Sequence, residues 1–271
     1  MCHISCTKLK LYQKREPRLL DVGKRWHHPL SVRLPFLAVV LTLLVGFQAS
    51  PVLTQGGAEP GDPMRVAILV DNSQAPGDER RFIDPLPFIR RGLQQFLNAL
   101  PPNHELMLVT TGGQMNIRVE PTRDYLAVMQ SANAIQVMRT SGNALIGSVE
   151  EIYERYLRGV ERRHPVLVIV ASDGPDMSPR ITNVRVNALL QQLTKSRVRV
   201  NAVLLSTTGA MGAGSDLVRS FTLEMVKRTD GAFESASGGT APAKLKTLAG
   251  RISQQYKELS PDKLPTPEFR K

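Results

Sequence analysis

At 271 residues and 42% hydrophobic composition, the chain can bury a substantial core, and its length admits one domain or two. The formal charge of +11 would suggest nucleic acid or an anionic membrane, but +6 of it falls in the first 49 residues, where eight Lys and Arg face only Glu16 and Asp21. Both cysteines, Cys2 and Cys6, lie in the same stretch, which excludes disulfide and thiol chemistry from everything after it.

Leu34 to Phe47 (LPFLAVVLTLLVGF) is uncharged, follows a basic region and is succeeded by small and polar residues, the layout of a secretory signal. Its 14 residues are short for a comfortable membrane span. Residues 1–49 are therefore read as a signal peptide or an N-terminal membrane anchor. The rest is expected to be exported: periplasmic, extracellular, or held at the membrane by that segment alone. Pro51, Gly56, Gly57, Pro60, Gly61 and Pro63 make residues 50–64 a flexible linker.

From Arg65 onward, short β-branched apolar runs alternate with amphipathic stretches, the pattern of a parallel sheet covered by helices on both faces. Arg65 to Val70 (RVAILV) is the first strand, and a helix with Ile89, Leu93, Phe96, Leu97 and Leu100 on one face ends at Pro101 and Pro102. Glu105 to Thr110 and Met115 to Val119, joined through Gly112 and Gly113, predict an antiparallel hairpin at the sheet edge. After a short helix around Arg123 to Ser131, a longer one is predicted from about Ala144 to Leu157, with Leu145, Val149, Ile152 and Tyr156 turned to one side. Pro165 to Ala171 (PVLVIVA) has no polar member, as a central strand buried on both faces requires, and should lie beside the first. A helix through Leu189, the strand Val198 to Leu205, a helix through Phe221, a short edge strand Gly231 to Ser235 and a last helix through Leu248 complete the series. The fold class is α/β: a doubly wound, mostly parallel six-stranded sheet with one antiparallel edge strand and helices on both faces. The domain is expected over residues 65–259, and the proline-rich 260–271 reads as a disordered tail.

In such a sheet, ligands collect at the carboxyl ends of the strands where the strand order reverses. The first strand runs out into Asp71-Asn72-Ser73-Gln74-Ala75, the central one into Ser172-Asp173-Gly174-Pro175-Asp176, and Ser141-Gly142-Asn143-Ala144-Leu145 opens the long helix. This set resembles the von Willebrand factor type A (VWA) family and its metal-ion-dependent adhesion site. That family carries Asp-x-Ser-x-Ser after the first strand, a Thr in a Gly-Thr-x-Leu-like loop, and Asp-Gly after the fourth strand. Asp71 and Ser73 match the first element and Asp173-Gly174 the third, while Gly142-Asn143-Ala144-Leu145 stands in the place of the second.

The resemblance implies a binding domain and not an enzyme, with Asp71, Ser73, Asn143 and Asp173 as ligands of Mg2+ or Mn2+. An ion left with net positive charge would take an Asp or Glu side chain of a protein partner as its missing ligand. Ala75 stands where the family has its second Ser, and Asn143 where it has Thr. Two readings stay open: a weakened cation site, or a metal-free scaffold in which Asp71 and Asp173 accept hydrogen bonds from loop amides.

Other classes, an uncharacterised hydrolase-type α/β enzyme among them, find little support. The Gly-Gly pairs at Gly112 and Gly238 lack phosphate-loop spacing, and His104 and His164 fall at the sheet end away from Asp71. The basic residues Arg80, Arg81, Arg90, Arg91, Arg162, Arg163, Lys195, Arg197 and Arg199 are scattered without interleaved aromatics, which argues against nucleic acid as a partner.

Overall fold

Val66 to Val70 and Pro165 to Ala171 carry no side chain able to face water, so each must be enclosed on both faces by other elements. The computed structural model describes residues 63–74, 84–140, 142–172, 174–206 and 215–258, and in it both segments are buried central strands. The expected signal or anchor, most of the linker, the tail, Ala75, Ser141 and Asp173 lie outside the described residues.

In chain order the elements are β1 (Arg65–Val70), β2 (Ser73–Gln74), α1 (Leu86–Ala99), β3 (Glu105–Thr111), β4 (Met115–Thr122), α2 (Tyr125–Asn133), β5 (Met138–Arg139) and α3 (Leu145–Ile152). They continue with β6 (Pro165–Ser172), α4 (Asn183–Lys195), β7 (Arg199–Leu205), α5 (Ser215–Arg228), β8 (Phe233–Ala236) and α6 (Ala241–Glu258). The main sheet has six strands in the order β4-β3-β1-β6-β7-β8, parallel throughout except for β4, which runs antiparallel to β3. Val66 lies between Leu106 and Val166, so the first strand and the apolar central strand are neighbours in register, as the sequence predicts.

Alternation along these strands divides the core in two. Val66, Ile68, Val70, Leu108 and Val168 face the layer of α1, α2 and α6, where Phe96, Leu97, Leu245 and Leu248 meet them. Ala67, Leu69, Val109 and Ile169 face the other layer, packed by Leu145, Val149 and Ile152 of α3, Leu189 and Leu193 of α4, and Phe221 and Met225 of α5. Helices α1 and α6 cross closely at Gly92, where a Cβ would come within 2.5 Å of Leu245 and 3.2 Å of the Pro242 backbone.

The structure departs from the sequence reading in two local respects. The helix expected to run unbroken from Ala144 to Leu157 changes pitch: α3 ends at Ile152 and a π turn spans Tyr153–Leu157. The wider turn brings Leu157 fully into the core and leaves Tyr156 only partly buried, its hydroxyl donating to Glu120 at 3.1 Å. The second departure is a two-stranded parallel ladder of β2 and β5, Ser73 beside Met138 and Gln74 beside Arg139, which no hydrophobic pattern announces.

The chain leaves β1 toward β3 on one side and returns through α3 to β6 on the other. The strand order therefore reverses at β1, and the crevice opens at the carboxyl ends of β1 and β6. Among the described residues no helix is long and apolar enough to cross a membrane.

Candidate functional site at the carboxyl edge of the sheet

Asp71 extends the β1–β6 ladder by one residue, its N–H donating to the Val170 carbonyl at 2.8 Å. That pairing sets its buried side chain between β6 and the loop in front of α3. Oδ1 accepts from the Ser73 N–H at 2.9 Å and the Ser73 hydroxyl at 2.6 Å. Oδ2 accepts from the Asn143 amino group at 3.0 Å, the Ser172 N–H at 3.2 Å and the Ser172 hydroxyl at 2.6 Å. These hydrogen bonds exceed the roughly four lone-pair sites of a carboxylate.

Asn143 is fully buried and its orientation is chemically determined. The Leu145 N–H can only donate, so the side-chain atom facing it at 3.2 Å is the oxygen, and the amino group is left to face Asp71. The loop is held from both sides. Thr140 N–H donates to Gln74 O at 3.1 Å, Asn143 N–H to Pro175 O at 3.1 Å, and Met177 N–H to Asn143 O at 2.6 Å. Gly142 is required between these contacts, because a Cβ there would lie 2.4 Å from Pro175 O.

The first turn of α3 is equally occupied. A helix begins with four N–H groups that have no partner within the helix. Here Ala144 donates to Thr111 Oγ1 at 3.1 Å, Leu145 to Asn143, Ile146 to Asp176 Oδ2 at 2.8 Å and Gly147 to Ser178 Oγ at 2.9 Å. The other Asp176 oxygen accepts from the Ser178 N–H at 2.7 Å. The amides at this helix end are spent within the protein.

Three of the four residues singled out in the sequence, Asp71, Ser73 and Asn143, thus converge at the ends of β1 and α3, and the fourth, Asp173, lies outside the described residues. Two further participants, Ser172 and Asp176, were visible in the sequence only as members of the loop after β6. A serine beside a candidate ligand is the signal that could have marked Ser172, since a hydroxyl at a strand end can serve a neighbouring carboxylate.

No family model matches the chain, and no curated protein matches it. Solved structures do. BatB from Bacteroides thetaiotaomicron superposes with a TM-score of 0.55 at 14% identity, covering 72% of this chain and 99% of that one. A von Willebrand factor type A protein from Catenulispora acidiphila gives 0.53 at 8% identity over 71% of this chain and 43% of that one. Proximal thread matrix protein 1 of the mussel byssus, with a zinc-occupied metal-ion-dependent adhesion site, gives 0.53 at 9% identity over 72% of this chain and 47% of that one. The fold is that of the von Willebrand factor type A domain. The chain spans less than half of the Catenulispora and mussel proteins.

The VWA fold carries an expectation of a cation at this crevice, and among the described residues the Ser73 and Ser172 hydroxyl oxygens are the lone pairs left at the Asp71 cluster, too few to fit one. A hard divalent ion needs oxygen lone pairs. Both Asp71 oxygens are engaged, Asn143 turns an N–H donor toward the centre, and its own oxygen caps α3. The buried Asn72 has an oxygen without a donor, but it lies over Gly112, 2.8 Å from where a Cβ would stand. Among the described residues no group of three or more His, Cys, Asp or Glu side chains is disposed to hold a metal.

Proposed function

We propose that this VWA-fold domain is a protein-binding module that engages its partner at the carboxyl edge of the sheet without a bound cation. The observation that carries the reading is the Asn143 amino group hydrogen-bonded to Asp71 at 3.0 Å. Where the family's threonine offers a hydroxyl oxygen to an ion, this chain offers an N–H to the carboxylate, so a neutral donor does in place what the ion's charge would do. Asp71 and Asn143 on the crevice floor thereby satisfy each other. Recognition then falls to the rim, where Met177 is 53% exposed beside Gly142. Exposed methionine is an adaptable contact residue for a protein partner.

The expected setting is outside the cytoplasm, with residues 1–49 acting as signal peptide or anchor, and the support for it is the apolar run behind eight basic residues. A fusion of residues 1–64 to a reporter should cross the cytoplasmic membrane. A reporter that stays soluble inside the cell overturns that part.

The binding reading is tested with a photo-crosslinking side chain at position 177 in the producing cell. Adducts to a protein that persist in excess chelator are expected. Adducts lost on chelation would establish the other reading, a Mg2+ or Mn2+ site completed by a partner Asp or Glu, and the absence of any adduct would remove the rim from the interface.

A further inference from the structure

At the opposite, amino-terminal edge of the sheet lies a cavity of about 440 Å³, within the range of small-molecule sites. Its apolar wall is formed by Met64, Val166, Val198, Ile252 and the Tyr256 ring. Its polar lining includes Arg197, Arg199 and Arg228 together with the acidic Glu161 and Asp230. Arg199 is paired with the exposed Asp230 at 3.5 Å, and Arg228 with Glu224 at 2.6 Å. Arg197 has no ion pair among the described residues.

The backbone singles out the same place. Five non-glycine residues have positive φ among those described, and three of them, His164 (41°), Arg197 (52°) and Asp230 (54°), line this cavity. They stand one, two and three residues ahead of the starts of β6, β7 and β8, each at the end of the preceding helical turn. Val198 N–H to Leu193 O and Gly231 N–H to Val226 O, both 3.0 Å, are the closing bonds that place Arg197 and Asp230 at the left-handed position following a helix, where glycine is the default. For a residue with a Cβ that conformation costs about 1–2 kcal/mol. Asp and His visit it comparatively readily, whereas Arg has no local hydrogen-bonding reason to do so. Strained positions that gather around one cavity are characteristic of ligand clamps.

We propose that this cavity binds a small organic anion, a carboxylate or phosphate head on an apolar body, with Arg197 as the group that takes the head. A planar guanidinium without a carboxylate partner presents a fork matched to either head, and the apolar wall accepts the body. The site is distinct from the Asp71 crevice and does not depend on how that crevice is used.

Calorimetric titration of the full chain tests it, with octanoate and octyl phosphate as probes and octanol as the uncharged control. Octanoate or octyl phosphate should bind about tenfold or more tighter than octanol, the worth of one charge-assisted contact, and their ranking identifies the head. Arg197→Gly should bring the anion down to the octanol level while the melting temperature holds or rises, because glycine relieves the left-handed strain. Arg197→Lys keeps the charge but loses the fork, and should bind the anion more weakly than the parent while staying above the octanol level. Failure of both anions to bind at millimolar concentration, equal binding of octanol, or undiminished binding by Arg197→Gly would each overturn the assignment. An Arg197→Gly protein that melts earlier would overturn it as well, since the arginine would then serve the fold and not a ligand.

Discussion

The two ends of the sheet treat their polar groups in opposite ways. At the carboxyl edge, Asp71, Asn143, Asp176 and the first amides of α3 satisfy one another through side chains drawn from β2, β3, β6 and the loops between them. At the amino edge, the buried His104 accepts from Met64 N–H at 3.3 Å through Nδ1 while its Nε2 has no acceptor, and Arg197 lines a cavity with no ion pair among the described residues. Strand order locates a crevice, but it does not say whether the groups there await a ligand. Among the described residues, the edge favoured by topology is closed around Asp71 and leaves only the Asn72 oxygen unmet, while the amino edge leaves a histidine nitrogen without an acceptor and an arginine without an ion pair.

The comparison is most exposed to a change at Asp71. Asp71→Asn keeps the shape but replaces one acceptor oxygen with an N–H2 group, which must face either the two Ser73 donors or the donors of Asn143 and Ser172. A loss of about 3 kcal/mol in urea unfolding is expected, from buried donors left without an acceptor. A cation site predicts the reverse, because removing one of two neighbouring carboxylates relieves repulsion. An Asp71→Asn protein as stable as the parent would therefore break the contrast between the edges.

His104 gives the matching test at the other end. Burial against the edge of the Tyr256 ring, with centroids 4.7 Å apart, pushes its pKa down to about 4 from 6.5. The unfolded chain then binds a proton that the folded chain refuses, so stability falls as pH drops from about 6.5 to about 4 and levels off below. The total is on the order of 3 kcal/mol. Glu105 acts in the same direction but lower. Burial would raise its carboxyl, yet the Arg65 and Arg163 guanidiniums at 2.6 and 3.0 Å outweigh that and hold it below 4.5. Its contribution is lost only as pH falls through that lower range, which separates the two. His104→Asn, which can still accept from Met64 N–H, should flatten the slope between pH 4 and 6.5. A slope left unchanged in the variant would assign it to another group.

Much of this was legible before any coordinates. Val66–Val70 and Pro165–Ala171 announce themselves as buried neighbours because a run without polar side chains has one stable environment, and Gly112-Gly113 marks the single antiparallel turn. Asp71, Ser73 and Asn143 were legible as a cluster because strand ends in this topology converge. What Asn143 does there was not legible. Its two faces are chemically different, and only the position of the Leu145 N–H decides which one Asp71 meets. The π turn at Tyr153 was hidden for a similar reason: Tyr156 and Leu157 are both apolar enough to be buried, and packing against the strands selects Leu157. The left-handed Arg197 was concealed because the sequence shows an arginine where helix ends ordinarily show glycine.

A change at Asn143 should cost least and shows how the carboxyl edge came to be closed. Asn143→Thr retains one side-chain oxygen for two tasks, donating to Asp71 and accepting from Leu145 N–H, and a hydroxyl at that distance serves one of them. Without added metal the variant should lose about 1 kcal/mol, the worth of one neutral hydrogen bond or helix cap. It also withdraws the N–H from Asp71 Oδ2 and frees a lone pair. Adding Ala75→Ser restores the second hydroxyl of the family pattern. Thermal unfolding of the parent should therefore be indifferent to millimolar Mg2+ or Mn2+, while the Ala75→Ser/Asn143→Thr protein regains stability as the ion is titrated, by an amount that grows with the logarithm of its concentration. Stabilisation of the parent itself would mean that the ion displaces the Asn143 amino group in the native chain. Indifference in both proteins would mean that the Ser172 hydroxyl and the remaining donors close the site even without Asn143.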